Sequence, residues 1–400
     1  MSDDPYRELI EGRVSVPRIG SVVQLRTVHP PYGMLDATGE PFKPVMTYLR
    51  QLSLDDNRPL TCRSYAYDLL RWFRILWLLG LSWEKATEAE VTAMVGWLRV
   101  IPNPQRRRSN PKAPRPGSVN VRTGKPYLKA GYSPRTINHA LTVVSSFYNF
   151  YRLTNRGPLI NPVPESLARR RALAHHNPME APAKFRRTRL RQRVPKTDPR
   201  AIPDAMWDEF FEAMTHDRDR AAVLLYVSSG ARAGELLGVT PGDINWPKQI
   251  FYVISKGTDE KEPVPASPQA LVVLAAYIDQ TGLPPADQPV FRTRRGPDKP
   301  LTYWAMRRVV QRVNDRLRTN WTLHDLRHTA AQRMANDPAL TLAQVRAIMR
   351  HSDLATTGLY LHQRVEDLFD ALQEHYNRPR VERSYAPGYD PEDVKAVFGA

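Results

Sequence analysis

The chain has 400 residues, 42% of them hydrophobic, and its 58 lysines and arginines outnumber 41 aspartates and glutamates, giving a net charge of +17. That length exceeds one ordinary hydrophobic core and indicates two domains with connecting segments, and the apolar fraction excludes a disordered chain. The positive excess favours a polyanionic partner, usually nucleic acid, although charge alone also allows a ribosome-associated or membrane-surface protein.

The single cysteine, Cys62, excludes an internal disulfide and is consistent with a reducing compartment. The N-terminus MSDDPYRELIEG lacks the apolar segment of a signal peptide. The most apolar run, LLRWFRILWLLGLSW, is interrupted by Arg71 and Arg74 and is too short to span a bilayer, so we expect a buried helix. These features predict a soluble cytoplasmic protein, associated with the nucleoid and not with a membrane.

Residues 1–44 form an N-terminal extension with turn signals at HPPYG and DATGE and one short strand at SVVQLRT. They suggest no function.

Residues 45–165 have the apolar periodicity of a small helical domain. A helix is predicted at SPRT, where Ser133 can cap and Pro134 fits the first turn. Two apolar stripes mark helices that face a core: Tyr65, Leu69, Trp72, Phe73 and Leu76 in the first, and Ile137, Leu141, Val144, Phe147 and Tyr148 in the second.

Two basic segments interrupt or follow these helices. NPQRRRSNPKAPRPGSVNVRTGKPYLKAGY is too rich in proline, glycine and arginine to be core, and it predicts a basic loop or hairpin. Residues 166–200 predict a basic interdomain linker, which would let the two domains clamp one polyanion. A merely solvated loop and a nuclear-import patch are the alternatives. The predicted phosphate contacts are Arg106, Arg107, Arg108, Lys184, Arg186, Arg187, Arg189, Arg191 and Arg193.

Residues 201–376 predict a second, mostly helical domain, followed by a tail at 377–400. One β-hairpin is predicted within it at QIFYVISKGTDEKEPVPAS, as two short strands around a polar turn. The expected fold is therefore mainly α with a small antiparallel sheet.

Four separated stretches of this domain could carry chemistry: SGARAGELLGV, ISKGTDEK, HDLRHT and HSDLATTGLY. Each alone has an ordinary structural explanation, such as a surface arginine, a solvated lysine or a packed tyrosine. His324 and His328 have zinc-ligand spacing, but no third ligand and no accompanying glutamate support a metal site.

Together the four stretches suit cleavage of a DNA phosphodiester without metal. Arginines bind phosphate oxygens bidentately and stabilise the charge that develops on them. A tyrosine hydroxyl beside such cations can attack phosphorus and form a covalent phosphotyrosine. A lysine can then protonate the departing oxygen.

These residues resemble the active site of the tyrosine recombinase (phage integrase-like) family. The resemblance implies that the catalytic residues are Arg232, Lys256, His324, Arg327, His351 and Tyr360, with Glu235 supporting Arg232 and Lys261 as the alternative lysine. It is strong over residues 202–376. It extends more loosely to 45–165, which look like the family's helical SAM-like core-binding domain beside a mixed α/β catalytic domain.

The sequence departs from the family at Arg350, where a glycine usually precedes the histidine. Arginine must adopt another turn or bear strain there, and it could add a phosphate contact. Residues 1–44 do not resemble an arm-binding domain. The tail, with PEDVKAVFGA, could dock onto a neighbouring protomer or pack on its own chain.

The resemblance implies a recombinase that acts as a homotetramer on double-stranded DNA recombination sites, through a 3′-phosphotyrosyl intermediate and a Holliday junction, with possible accessory recombination proteins. No cofactor, metal or nucleotide, is expected. The alternatives are a type IB-like DNA topoisomerase and a DNA-binding relative without catalysis. The DNA site, and whether the biological role is integration, excision or resolution, cannot be read from the sequence.

Overall fold

The computed structural model describes residues 4–106, 113–166, 188–195, 200–255, 259–294, 298–350 and 377. The chain divides into two compact units, Met1–Thr197 and Asp198–Ala400, and the division falls inside the predicted linker. Among the described residues, no helix combines the length and apolar character needed to cross a membrane.

The first unit is built mainly of helices. Its elements in chain order are α1 (Pro5–Ile10), β1 (Ser21–Gln24), β2 (Tyr32–Leu35), α2 (Lys43–Leu54), α3 (Pro59–Leu78), α4 (Glu88–Val100) and α5 (Pro134–Leu153), with short 3-10 turns at Trp83–Lys85 and Pro104–Arg106. Thr87 and Glu90 form a capping box at the start of α4. Ser133 accepts a hydrogen bond from the Thr136 N–H at the start of α5, which confirms the predicted cap.

Aromatic side chains from α3 and α5 form the centre of this unit's core. Trp72, Phe73, Phe147 and Tyr148 are each no more than 1% exposed. The rings of Phe73 and Phe147 meet edge to face with centroids 5.7 Å apart. Each such burial stabilises the fold by roughly 1.5–3 kcal/mol. The Tyr148 hydroxyl donates to the Trp83 carbonyl at 2.8 Å, so its polar atom is satisfied inside the core.

The N-terminal extension belongs to this core and is more regular than the sequence suggested. Helix α1 packs against α4 with Leu9 only 1% exposed, and Met34 of the β1–β2 hairpin is fully buried. The Tyr6 hydroxyl donates to the Glu90 carboxylate, and that hydrogen bond raises the pKa of Tyr6 to about 12. The extension is therefore a structural part of the helical unit.

Arg74 fastens the extension to α3. Its guanidinium donates to the carbonyls of Ile19 and Gly20 at 2.6 and 2.9 Å. Residues 69–78 of the apolar run predicted as a buried helix form the C-terminal half of α3, and Arg74, one of the two arginines that interrupt the run, makes these backbone contacts.

The second unit combines helices with a three-stranded antiparallel sheet. Its elements are α6 (Asp204–Glu212), α7 (Asp217–Ser229), α8 (Ala233–Leu236), β3 (Ile244–Asn245), β4 (Ile250–Ile254), β5 (Lys261–Pro265), α9 (Pro268–Thr281), α10 (Tyr303–Leu317), α11 (Leu323–Ala335) and α12 (Leu342–Met349), with a 3-10 turn at Pro241–Asp243. The strand order is β3-β4-β5. The predicted hairpin is confirmed as β4 and β5, which pair from Ile250↔Pro265 to Ile254↔Lys261.

The core of the second unit surrounds α7, whose residues are buried nearly all round. Phe251, Val253 and Val264 point from the sheet into this core and are 1–2% exposed, in the alternation expected of a sheet with one solvated face. A smaller apolar cluster of Ala331, Val345 and Met349 joins α11 to α12. The prediction of a mainly α fold with a small antiparallel sheet is confirmed.

Candidate active site

The site begins where α7 ends. Gly230 caps α7 in the left-handed conformation, with φ 61° and ψ 15°, and turns the chain toward Arg232. A Cβ at this position would overlap the Met349 Sδ. The Ser229 hydroxyl accepts from the Ala231 N–H at 3.1 Å and donates to the Leu225 carbonyl at 2.6 Å, which fixes the turn.

Arg232 stands directly before α8 and is held by Glu235. The Glu235 carboxylate accepts from the Arg232 backbone N–H at 2.9 Å and from its Nη1 at 2.7 Å. The Glu235 side chain is 3% exposed and the Arg232 side chain 34% exposed. The carboxylate is therefore buried while part of the guanidinium faces solvent in a fixed orientation.

Arg327 of α11 is buried and connects two separate backbone segments. Its guanidinium donates to the carbonyls of Gly230 and Met349, at the ends of α7 and α12. Burial, together with the charges of Arg232 and Arg350, lowers the pKa of Arg327 to about 10. Arg327 therefore stays cationic at neutral pH.

Arg350 adds a third arginine to the same cluster. Its Nη2 donates to the Glu235 carboxylate at 2.6 Å, and its Nε lies 3.5 Å from the carboxylate of Glu262 on β5. The three arginines and two glutamates sum to one net positive charge, at a point where backbone segments converge. Such a cluster favours binding of an anion.

His324 lies one turn before Arg327, in the first turn of α11. Thr322 and Asp325 form a capping box there. The ring of His324 contacts that of His328 edge to face, with centroids 4.2 Å apart. Within the described residues no group of three or more potential metal ligands is found.

The alternative lysine, Lys261, is engaged elsewhere. Its Nζ pairs with Asp243 at 2.6 Å and lies over the Tyr252 ring at 5.4 Å. Lys256, His351 and Tyr360 lie outside the described residues, as does the predicted docking tail except Asn377. Their catalytic roles stay predictions.

The described members of the predicted phosphate contacts have mixed environments. Arg106 donates to the carbonyls of Lys129 and Gly131 and closes the base of the basic loop. Arg189 pairs with Glu88, whereas Arg193 is exposed. Arg191 is partly buried, and its backbone N–H donates to the Thr188 carbonyl at 3.4 Å. The other five members, Arg107, Arg108, Lys184, Arg186 and Arg187, lie outside the described residues.

Sequence reasoning missed the partners of Arg350. Arg350 takes the left-handed turn that a glycine would take, with φ 50° and ψ 50°. Glu235 and Glu262 are distant in sequence, and only the register of β4 with β5 brings Glu262 toward α12. A one-dimensional pattern carries no signal for that pairing.

Comparison with known proteins gives a consistent set of relatives. Residues 204–367 match the profile of the Phage integrase family. Transposase A from transposon Tn554 of Staphylococcus aureus is 22% identical over 365 residues, 88% of this chain and 95% of the transposase. Tyrosine recombinase XerD of Proteus mirabilis is 29% identical over 197 residues, 46% of this chain and 62% of the recombinase.

A solved structure shares the fold. XerH site-specific recombinase, bound to a palindromic difH substrate in a post-cleavage complex, superposes with a TM-score of 0.56 at 16% identity. The match covers 94% of this chain and 98% of the XerH chain. The predicted combination of a helical core-binding domain with a mixed catalytic domain is confirmed at the level of fold.

Proposed function

Residues 204–367 form a phage integrase family domain, and on that premise we propose that this chain is a site-specific DNA recombinase that cuts and rejoins strands through a 3′-phosphotyrosyl intermediate. The observation that carries the proposal is the arginine cluster: Arg232 oriented by a buried glutamate and Arg327 fixed between two backbone carbonyls.

The cluster suits a phosphate in its transition state better than in its ground state. As phosphorus becomes pentacoordinate, its non-bridging oxygens gain charge, and cations already held in place stabilise that charge without reorganising. Arg232 meets this requirement because Glu235 fixes its orientation while about one-third of the side chain stays exposed. Arg327 supplies a second, buried charge.

Cleavage then follows as an in-line substitution. The Tyr360 hydroxyl loses its proton to solvent as its oxygen attacks phosphorus and forms a Tyr–O–P bond, while the bond from phosphorus to the 5′-oxygen breaks. Lys256 gives a proton to that oxygen, so a 5′-hydroxyl leaves. Arg232, Arg327 and His324 hold the phosphate, and His351 supports it. No metal or nucleotide takes part in this step, and we expect the reaction to proceed in EDTA.

Rejoining is the same step in reverse. The 5′-hydroxyl of a partner strand attacks the phosphotyrosine, and two successive exchanges pass through a Holliday junction. We propose that four copies assemble on two recombination sites, with both units of each copy contacting one half-site through basic side chains such as Arg193. Accessory proteins are compatible with this scheme.

A nicked half-site, which releases the short 5′ fragment after cleavage, tests the proposal. Wild-type protein should form a covalent adduct that migrates as protein plus DNA under denaturing conditions, and Tyr360→Phe should form none. Absence of the adduct with wild type would refute catalysis and favour a DNA-binding relative. Persistence of the adduct in Tyr360→Phe would refute this nucleophile.

A type IB-like topoisomerase would form the same adduct but act alone and reseal the same strand. Paired sites discriminate between the two activities. The recombinase should yield Holliday-junction intermediates and exchanged products, whereas a topoisomerase should yield only relaxed DNA.

A further inference from the structure

Arg350 occupies a backbone position that disfavours arginine. It caps α12 with φ 50° and ψ 50°, and its N–H donates to the Ala347 carbonyl at 3.0 Å. A residue with a side chain is less stable than glycine in this left-handed conformation. The contacts of the Arg350 side chain are therefore expected to compensate for this backbone cost.

The Arg350 side chain is 8% exposed and joins three elements through two carboxylates. Its Nη2 donates to Glu235 of α8 at 2.6 Å. Its Nε forms an ion pair with Glu262 of β5 at 3.5 Å, where neither atom has a hydrogen-bond partner among the described residues. One guanidinium thus links the end of α12, the first turn of α8 and a strand of the hairpin.

Glu235 cannot move without affecting Arg232, because its two carboxylate oxygens hold both arginines. Arg350 binds Oε2, and Arg232 binds Oε1 and also donates its backbone N–H to Oε2. Arg350 therefore limits the orientations available to Glu235 and shares its negative charge. Less of that charge is then left to neutralise Arg232.

We infer that Arg350 is a positioning residue for phosphoryl transfer. Through Glu235 it fixes the orientation of Arg232 and reduces the neutralisation of its positive charge. Through Glu262 it links this pair to the β4–β5 hairpin. The inference rests on the proposed function. It also connects the arginine cluster to the chain that continues directly into His351.

Arg350→Gly is the most informative variant. Glycine suits the left-handed turn, so the backbone keeps its conformation while the guanidinium is lost. Arg350→Lys keeps a cation that can reach one carboxylate but lacks the planar fork that spans both. Arg346→Ala is the matched control, since it removes one arginine from the exposed face of the same helix.

Two measurements distinguish a positioning role of Arg350 from an effect of its substitution on folding or on DNA affinity. The first is the single-turnover rate of adduct formation at saturating nicked half-site, and the second is the dissociation constant for the half-site. Thermal unfolding of every variant is followed alongside.

We expect Arg350→Gly to slow adduct formation by roughly 10- to 100-fold, with half-site affinity changed by less than about threefold. Arg350→Lys should recover part of the rate, and Arg346→Ala should react at the wild-type rate. Glu262→Gln should slow the reaction less than Arg350→Gly and add little when combined with it, because both act through one contact.

The inference is overturned if Arg350→Gly reacts at the wild-type rate. It is also overturned if the decrease in its rate of adduct formation is fully accounted for by a decrease in the fraction of folded protein or of bound DNA. It is also overturned if the lysine variant reacts no faster than the glycine variant. Absence of an adduct with wild type would refute the proposed function and the inference with it. A wild-type adduct together with an unaffected Arg350→Gly would refute the inference alone.

Discussion

Gly230→Ala should destabilise the second unit, because the glycine is constrained twice. Its φ of 61° lies in the left-handed region, which costs an alanine roughly 1–2 kcal/mol. Its added Cβ would overlap the Met349 Sδ, and forcing an extra methyl group into a packed core costs about 1–3 kcal/mol. Together they predict a loss of about 2–5 kcal/mol in the free energy of opening around α7 and α12.

Native-state hydrogen exchange measures the free energy of opening at individual amides. A local measurement is needed because a chain with two units need not unfold in a single step. Amides of α7 and α12 should exchange about 30- to 5,000-fold faster in the variant, the factor that corresponds to 2–5 kcal/mol. Gly234→Ala is the matched control: its Cβ meets nothing within 4 Å inside α8, so exchange should stay unchanged or become slower.

A second substitution separates the clash from the backbone cost. Met349→Ala removes the side chain that the new methyl group would meet, so the double variant should be more stable than the sum of the single losses by at least about 1 kcal/mol. Unchanged exchange in Gly230→Ala, or strict additivity in the double variant, would refute the packing account of this turn.

Three further predictions concern other parts of the molecule. Leu9→Ala should lower the free energy of unfolding of the first unit by about 2–4 kcal/mol in urea, because Leu9 is 1% exposed, whereas Ile10→Ala, 38% exposed, should cost less than about 1 kcal/mol. The hydrogen bond that the His139 ring donates to the Asp68 carboxylate raises the pKa of His139, so the stabilisation of wild type over His139→Gln should be complete below the unfolded pKa near 6.5 and disappear as pH rises through the raised value. Arg327→Lys should slow adduct formation at least about 100-fold at saturating DNA, because one ammonium cannot span both carbonyls.

Each of these has a contrary outcome. Equal losses for Leu9→Ala and Ile10→Ala would mean that α1 does not pack on the core. If the difference in unfolding free energy between wild type and His139→Gln stays constant from pH 5 to 9, Asp68 does not stabilise the protonated form of His139. A fast Arg327→Lys enzyme would mean that Arg327 acts only as a charge.

The helical elements around the site could be predicted because local signals agreed with one another. Ser133 before Pro134 marked the start of α5, and a glycine followed by Arg232 and Glu235 marked the turn into α8. In both cases the information lies within one turn of helix, so a single sequence contains it. The apolar stripes indicated the buried faces for the same reason.

Contacts between distant segments could not be predicted in this way. The sequence of residues 1–44 looked irregular because its helix and strands are short, and their stability comes from packing on α3 and α4. Likewise, Arg327 was expected to face a phosphate, but its described partners are two backbone carbonyls. Backbone groups have no sequence signature, so such a role is visible only in three dimensions.

The burial of the N-terminal helix has a consequence for the order of events on the ribosome. Tyr6 and Glu90 are separated by 84 positions, and synthesis of that length takes roughly 4–17 seconds. Until α4 emerges, α1 has no apolar surface to pack against, and helices of this length are unstable alone in water. Helix α1 is therefore synthesised well before it can fold, and its burial is coupled to the synthesis of α4.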